Sequence, residues 1–201
     1  MHASQVNSRQ SPVFNMSKTS RRKVVSALTL GGVALASATL AGAGGSTPYD
    51  MVGIPDGLGA FTDGAGKVTF VSNQELGATV GVVRAHGQKG AFVSKYTLDP
   101  VTNDVTNGSD LMTNMDWSGG VPSAFGRFCS ADLSGIPQLY NASNGNGYNG
   151  KIYFTGEESG AEGRAVGVDV LTGNAKVLNS LGHMSFENSL GRNAVRKSRF
   201  D

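Results

Sequence analysis

The sequence contains a single cysteine, Cys129, so no disulfide can form within the chain. Charged residues make up only 16% of the 201 residues and hydrophobic residues 39%, whereas glycine occurs 29 times. From residue 48 onward no long helical periodicity is present. Low charge combined with many glycines and small polar residues is typical of an exported all-β protein rich in turns, rather than of a helical cytosolic enzyme.

Several well-defined functional motifs are also missing. The sequence has no Walker loop, no nucleophile elbow, no Cys-x-x-Cys pair and no EF-hand loop. His86 and His183 lack metal-site spacing with another histidine, which predicts that each is structural or exposed. The formal net charge of +2 comes mostly from the two ends of the chain, so it predicts no nucleic-acid partner.

The N-terminal segment, residues 1–43, has the three regions of a secretory signal. Arg21 and Arg22 precede an apolar run at 27–40, and small residues follow at 41–43. The paired arginines resemble a twin-arginine signal. The run is too short and too glycine-rich for a comfortable membrane span, although a retained N-terminal anchor is the alternative. We therefore expect export to the periplasm or the outside, with no stable membrane insertion after cleavage.

The remaining chain reads as short strands separated by turns. The predicted strands are residues 67–71, 80–84, 91–98, 151–155, 165–171 and 175–178. Two pieces repeat: residues 66–70 resemble 150–154, and residues 96–103 resemble 166–173. Each copy of the second piece enters a turn with an aspartate, Asp99 or Asp169, at its start. A strand that leads to an acid, followed by a hairpin, thus occurs twice.

This repetition predicts an all-β fold built as part of a β-propeller, whose blades span about 40–50 residues. Residues 44–190 would form about three blades of an incomplete propeller, because typical propellers have 4–8 blades. A β-sandwich, which needs no closure, is the rival architecture. Residues 191–201 carry several basic residues without a strand pattern, which predicts an irregular basic tail and favours a truncated or frameshifted chain.

Acidic residues follow the predicted strands, and this pattern supplies the candidate metal ligands. Glu75 follows the first copy of the repeated strand, while Glu157 and Glu158 follow the second copy. Glu187 lies in a Phe-Glu-Asn context further on. Carboxylates that converge repel one another unless a cation joins them, and Ca²⁺ takes 6–8 oxygen ligands. The alternative is that these are ordinary acids of solvated turns.

Cys129 and Arg127 occupy a segment flanked by Gly126 and Gly135, which we read as a loop. A lone cysteine in an exported protein is either a small buried hydrophobe or a thiolate ligand of a metal such as iron. The planar guanidinium of Arg127 is well suited to holding a phosphate.

These motifs together resemble the PhoX-type alkaline phosphatase family. The resemblance is carried by the arginine pair of the signal and by residues 73–75, 127–130, 153–158 and 186–188, the block at 153–158 being the most specific. It implies an exported β-propeller phosphomonoesterase that uses Ca²⁺ and Fe³⁺. Carried over by position, Cys129 is the candidate iron ligand. Metal-ligand candidates are Glu75, Glu157, Glu158 and Glu187.

The sequence therefore predicts a monomeric fragment of a metal-dependent phosphomonoesterase that acts on a small phosphoester and is inactive alone. Arg127 would hold the substrate oxygens, and Glu157 would take part in catalysis as well as in metal binding. Two alternatives remain open at this point. One is a non-enzymatic secreted propeller that binds calcium, and the other is a calcium-dependent esterase or lactonase.

Overall fold

β-Strands dominate the chain, as shown by a computed structural model that describes residues 38–40, 49–62 and 64–192. The strands in chain order are β1 (Ala38–Leu40), β2 (Tyr49–Met51), β3 (Pro55–Thr62), β4 (Val68–Gln74), β5 (Phe92–Leu98), β6 (Val105–Asp110), β7 (Asn114–Asp116), β8 (Phe128–Ser134), β9 (Tyr140–Asn141), β10 (Asn146–Gly147), β11 (Ile152–Glu157), β12 (Ala165–Asp169) and β13 (Asn174–Val177). One four-residue helix, α1 (Ile136–Leu139), lies between β8 and β9. The predicted all-β class is confirmed.

Two larger sheets contain most of these strands. The first sheet has the order β3-β4-β5-β6, and every neighbouring pair is antiparallel. The second has the order β7-β13-β12-β11-β8, in which only the β7–β13 pair is parallel. Two short ladders, β1–β2 and β9–β10, complete the sheet structure of the described residues.

The predicted repetition of the hairpin is visible at atomic detail. The side-chain Oδ1 of Asp99, and likewise that of Asp169, accepts a hydrogen bond of 2.9 Å from the amide two residues further on. The left-handed residues of the two turns are Asn103 at φ 59° and Gly173 at φ 74°. Both turns thus use an aspartate to satisfy backbone donors, which is the reason for the sequence echo.

The hydrophobic core draws on both larger sheets. Val71 and Val93 of the first sheet belong to the same buried cluster as Tyr153, Val166 and Val168 of the second. Strands β3 and β8 contact one another where the sheets meet. At this contact a Cβ on Gly57 would lie 2.5 Å from the backbone nitrogen of Ala131, so only glycine allows the approach.

Two sequence predictions about local structure are wrong. Residues 80–84 are not a strand, because Gly81 has a φ of 82° and Val82 and Val83 are 65% and 61% exposed. The segment between Gly126 and Gly135, predicted to be a loop, contains the seven-residue strand β8. Its composition is poor in β-branched residues, and it becomes a strand through pairing with β11 and contact with β3.

The predicted signal and the predicted basic tail fall largely outside the described residues. Within 1–43 only β1 is described, and it pairs with β2. Within 191–201 only Gly191 and Arg192 are described. In the described part of the chain, no helix has the length and apolar character needed to cross a bilayer.

Candidate metal and anion site

Arg127 joins the segments that follow β4 and β11. Its Nε donates to Glu75 Oε1 at 3.0 Å, and a terminal guanidinium nitrogen lies 2.7 Å from Glu158 Oε2. The backbone fixes this meeting, since the amide of Arg127 donates to the carbonyl of Leu76 and its carbonyl accepts from the amide of Glu158. Arg127 has a φ of 52°, a left-handed conformation that side chains seldom adopt.

Cys129, on β8, lies among carboxylates from two other parts of the chain. Its Sγ is 3.5 Å from Glu187 Oε2 and 3.7 Å from Asp56 Oδ2. Glu187 is held in place by its neighbour Phe186, whose amide donates to the carbonyl of Glu157 at 2.9 Å. Phe186 is buried, and its Cβ would lie 2.3 Å from a Cβ placed on Gly156.

Three of the predicted ligands form one cluster. One ligand atom from each of Cys129, Glu158 and Glu187 lies within 4.8 Å of the other two. Glu158 is therefore shared, because it also binds Arg127. Glu75 reaches the cluster only through Arg127. With Asp56 beside Cys129, the site thus contains a thiol, three glutamates, one aspartate and one arginine.

The side chain of Asn73 binds the backbone of Cys129, and its amide oxygen has no partner among the described residues. Asn73 is fully buried, and its Nδ2 donates to the carbonyl of Cys129 and, at 2.8 Å, to Thr155 Oγ1. Its Oδ1 accepts no hydrogen bond from the described chain. An orphaned buried amide oxygen is costly unless water or a cation satisfies it. The thiol and carboxylates of Cys129, Glu158 and Glu187 are ligand types that fit an oxygen-preferring cation with one thiolate ligand.

Glu157 occupies a different environment from the one expected for a metal ligand. Its side chain is only 5% exposed, and Arg164 binds both of its carboxylate oxygens, at 2.6 and 3.1 Å. The amides of Gly126 and Arg164 donate to the same carboxylate at 2.8 and 3.0 Å. The carboxylate oxygens of Glu157 thus accept hydrogen bonds that position the backbone next to Arg127.

The surroundings of the site raise the pKa values of both Cys129 and Arg127, for different reasons. Burial, together with the hydrogen bond to Glu187, raises the pKa of Cys129 to about 11, so that the thiol stays protonated in the absence of a cation. The charge of Glu158 and the contact with Glu75 raise the pKa of Arg127, which is a cation under all ordinary conditions.

Asp56 is the site residue that sequence reasoning missed. It precedes Gly57 in β3, where the pairing with β4 shifts register between Pro55 and Leu58. The Asp-Gly pair at 56–57 looks like turn chemistry in the sequence. The close approach of β3 to β8 places this carboxylate beside Cys129. The sequence around Asp56 does not predict that approach.

Comparisons with protein-family models, with curated proteins and with solved structures return no match for this chain. Its family assignment therefore stays a prediction from the motifs.

Proposed function

We propose that this chain carries part of the active site of an exported, metal-dependent phosphomonoesterase. The observation that carries the proposal is the placement of Arg127 against a thiol–carboxylate cluster formed by Cys129, Glu158 and Glu187. A cation site next to an exposed guanidinium is the arrangement that phosphoryl chemistry needs, since metal and arginine together neutralise phosphate oxygens.

Cys129 and Glu187 would hold Fe³⁺, because a thiolate with carboxylates suits iron better than calcium alone. Glu158 and Glu75 would supply oxygens to Ca²⁺, and Asp56 adds a further carboxylate near Cys129. When bound, such metals activate an oxygen nucleophile and stabilise charge on the phosphate. Arg127 would then orient the phosphate through its planar fork.

The buried pair of Glu157 and Arg164 has a positioning role in this proposal. Glu157 accepts from the amide of Gly126, the residue directly before Arg127. This hydrogen bond helps to hold Arg127 in its left-handed conformation, pointed at Glu75 and Glu158. We therefore assign Glu157 to preorganisation of the site rather than to direct contact with substrate.

The finer architecture proposed is a partial β-propeller whose blades include the two larger sheets. What supports it is the repeated order of four antiparallel strands, β3-β4-β5-β6 in one sheet and β8-β11-β12-β13 in the other, with matching hairpin turns. Further blades would supply the remaining ligands and substrate contacts, so the chain alone should bind metal and phosphate without appreciable turnover. A small phosphoester is the proposed substrate, and the chain is proposed to be a monomer.

Metal content and ligand stabilisation test the proposal. After loading with Fe³⁺ and Ca²⁺ and gel filtration, the chain should retain metal, and inorganic phosphate should raise its melting temperature whereas acetate should not. Cys129→Ser and Glu187→Gln should lose metal, while Glu162→Gln, which removes an exposed glutamate outside the cluster, should not.

Three results would count against this function. Stabilisation by acetate but not by phosphate would favour the esterase or lactonase alternative. Metal retention with no response to either anion would favour a non-enzymatic calcium-binding protein. A chain that retains no metal at all would remove the basis of the proposal.

A further inference from the structure

Glu158 has two competing partners, and this competition has a functional consequence. One carboxylate oxygen is 2.7 Å from the guanidinium of Arg127, while a ligand atom of the same residue lies within 4.8 Å of Cys129 and Glu187. A cation bound at the cluster and the guanidinium of Arg127 would compete for the carboxylate of Glu158. Binding of the cation and retention of the Arg127–Glu158 ion pair are therefore opposed.

We infer that Arg127 is the resident counter-ion of the cation site, which a cation displaces and which then becomes available to an anionic substrate. The inference rests on the proposed function and adds an order of binding to it. The cation binds first, Glu158 turns to it, and the freed guanidinium receives the phosphate.

Three features of Arg127 support this role. Its side chain is 55% exposed, so the guanidinium can move without leaving a cavity. Its backbone is held by hydrogen bonds to Leu76 and Glu158, so the residue stays at the site when its side chain changes partner. Apart from Glu75 and Glu158, no charged partner of Arg127 is found in the described part of the chain.

Other groups at the site favour the transfer of Glu158 from Arg127 to a cation. Asp56 Oδ2 lies 3.7 Å from Cys129 Sγ, so a further carboxylate is within reach of a cation at the cluster. Cation binding thereby adds oxygen contacts at the cluster while it removes one from Arg127. An anion that binds Arg127 restores the lost neutralisation, so cation and phosphate should bind cooperatively.

Calorimetric titration of the full chain with Ca²⁺ tests the competition. Arg127→Gln should bind Ca²⁺ about fivefold more tightly than the parent, the factor of a strong surface ion pair. Arg127→Lys keeps the charge but loses the fork, so it should fall between the two. Lys176→Gln, which removes the cation of an exposed pair with Asp116 on β13 and β7, should leave the affinity unchanged.

A second titration, with inorganic phosphate below the solubility limit of its calcium salt, tests the order. Phosphate should bind the parent only when Ca²⁺ is present, and Arg127→Gln should lose phosphate binding under both conditions. Equal phosphate binding with and without Ca²⁺, or unchanged or weaker Ca²⁺ binding by Arg127→Gln, would overturn the inference and leave the metal site of the proposed function intact. Absence of Ca²⁺ binding in the parent and in all variants would overturn both.

Discussion

Two arginine–carboxylate centres, which contain the adjacent residues Glu157 and Glu158, differ in the burial of their side chains and in how each arginine pairs with its carboxylates. Arg164 and Glu157 form a bidentate pair whose side chains are 16% and 5% exposed, and the arginine also stacks over Phe125 at 4.3 Å from the ring centroid. Arg127 is 55% exposed and divides its donors between Glu75 and Glu158. The first centre is fixed, whereas the second can exchange partners.

This difference shows how two adjacent glutamates acquire separate roles. Side chains alternate along a strand, so Glu157, the last residue of β11, points to the interior and Glu158 points to the exposed cluster. A register shift between Thr155 and Glu157 accompanies the change. The interior centre is buried and fully paired, and the exposed centre is the one to which we assign the proposed chemistry.

Breaking the buried centre should have the largest effect of any single change at the site. Arg164→Ala leaves the Glu157 carboxylate buried with only backbone donors, and it should lower the free energy of unfolding by about 3–5 kcal/mol. Urea denaturation measures this loss. Glu158→Gln serves as the matched change in the exposed centre and should have a small effect; equal losses for the two variants would show that the centres do not differ as described.

The contact between β3 and β8 should be the next most sensitive feature. Gly57→Ala places a Cβ 2.6 Å from the Cβ of Ala131, and overpacking of this kind should cost about 1–3 kcal/mol. The variant should also weaken metal retention, because the adjacent Asp56 moves away from Cys129. Gly77→Ala is the control for loss of a glycine, because a Cβ there would meet only Val80 Cγ2, at an ordinary contact distance of 3.6 Å. A Gly57→Ala protein with parental stability and metal content would contradict the tight approach.

The thiol of the exposed centre should be slow to react. With the pKa of Cys129 raised to about 11, the thiolate is scarce at pH 8, and alkylation by iodoacetamide in the metal-free protein should be about tenfold slower than in the urea-unfolded chain. Glu187→Gln removes a hydrogen bond that raises this pKa, so it should speed the reaction. Mass spectrometry follows the modified fraction with time. Alkylation as fast in the folded as in the unfolded chain would contradict the thiol environment.

The smallest expected effect on stability is that of Arg127→Gln. Exposed ion pairs contribute little, so the urea midpoint of the metal-free variant should match that of the parent within experimental error. A marked loss of stability would place Arg127 in the same structural class as Arg164 and remove the contrast between the two centres.

The sequence was informative where local chemistry decides the structure. Strands form at the predicted residues 67–71, 91–98, 151–155, 165–171 and 175–178, and the strand predicted over 165–171 ends two residues early, at Asp169, where the turn begins. The Asp-initiated hairpins at Asp99 and Asp169 follow from side-chain acceptors placed at the start of a turn. In these cases neighbours along the chain determine the outcome.

Contacts between distant segments determine what the sequence could not predict. Strand β8 forms without β-branched residues because it pairs with β11 and packs against β3. The contact with β3 also makes Asp56 a neighbour of Cys129. Alternation along β11 turns Glu157 to the interior, but the arginine that it meets there, Arg164, could not be predicted from the sequence. The predicted gathering of metal ligands rested on the acids that follow the predicted strands and on the motif resemblance, and the structure brings Cys129, Glu158 and Glu187 together.

X-ray absorption at the iron edge of the iron-loaded full chain tests the central claim most directly. We expect one sulfur neighbour in the first coordination shell together with oxygen neighbours, and we expect the sulfur contribution to disappear in Cys129→Ser. An iron spectrum with oxygen and nitrogen neighbours alone, unchanged by Cys129→Ser, would contradict the claim that this thiol–carboxylate cluster is a metal centre.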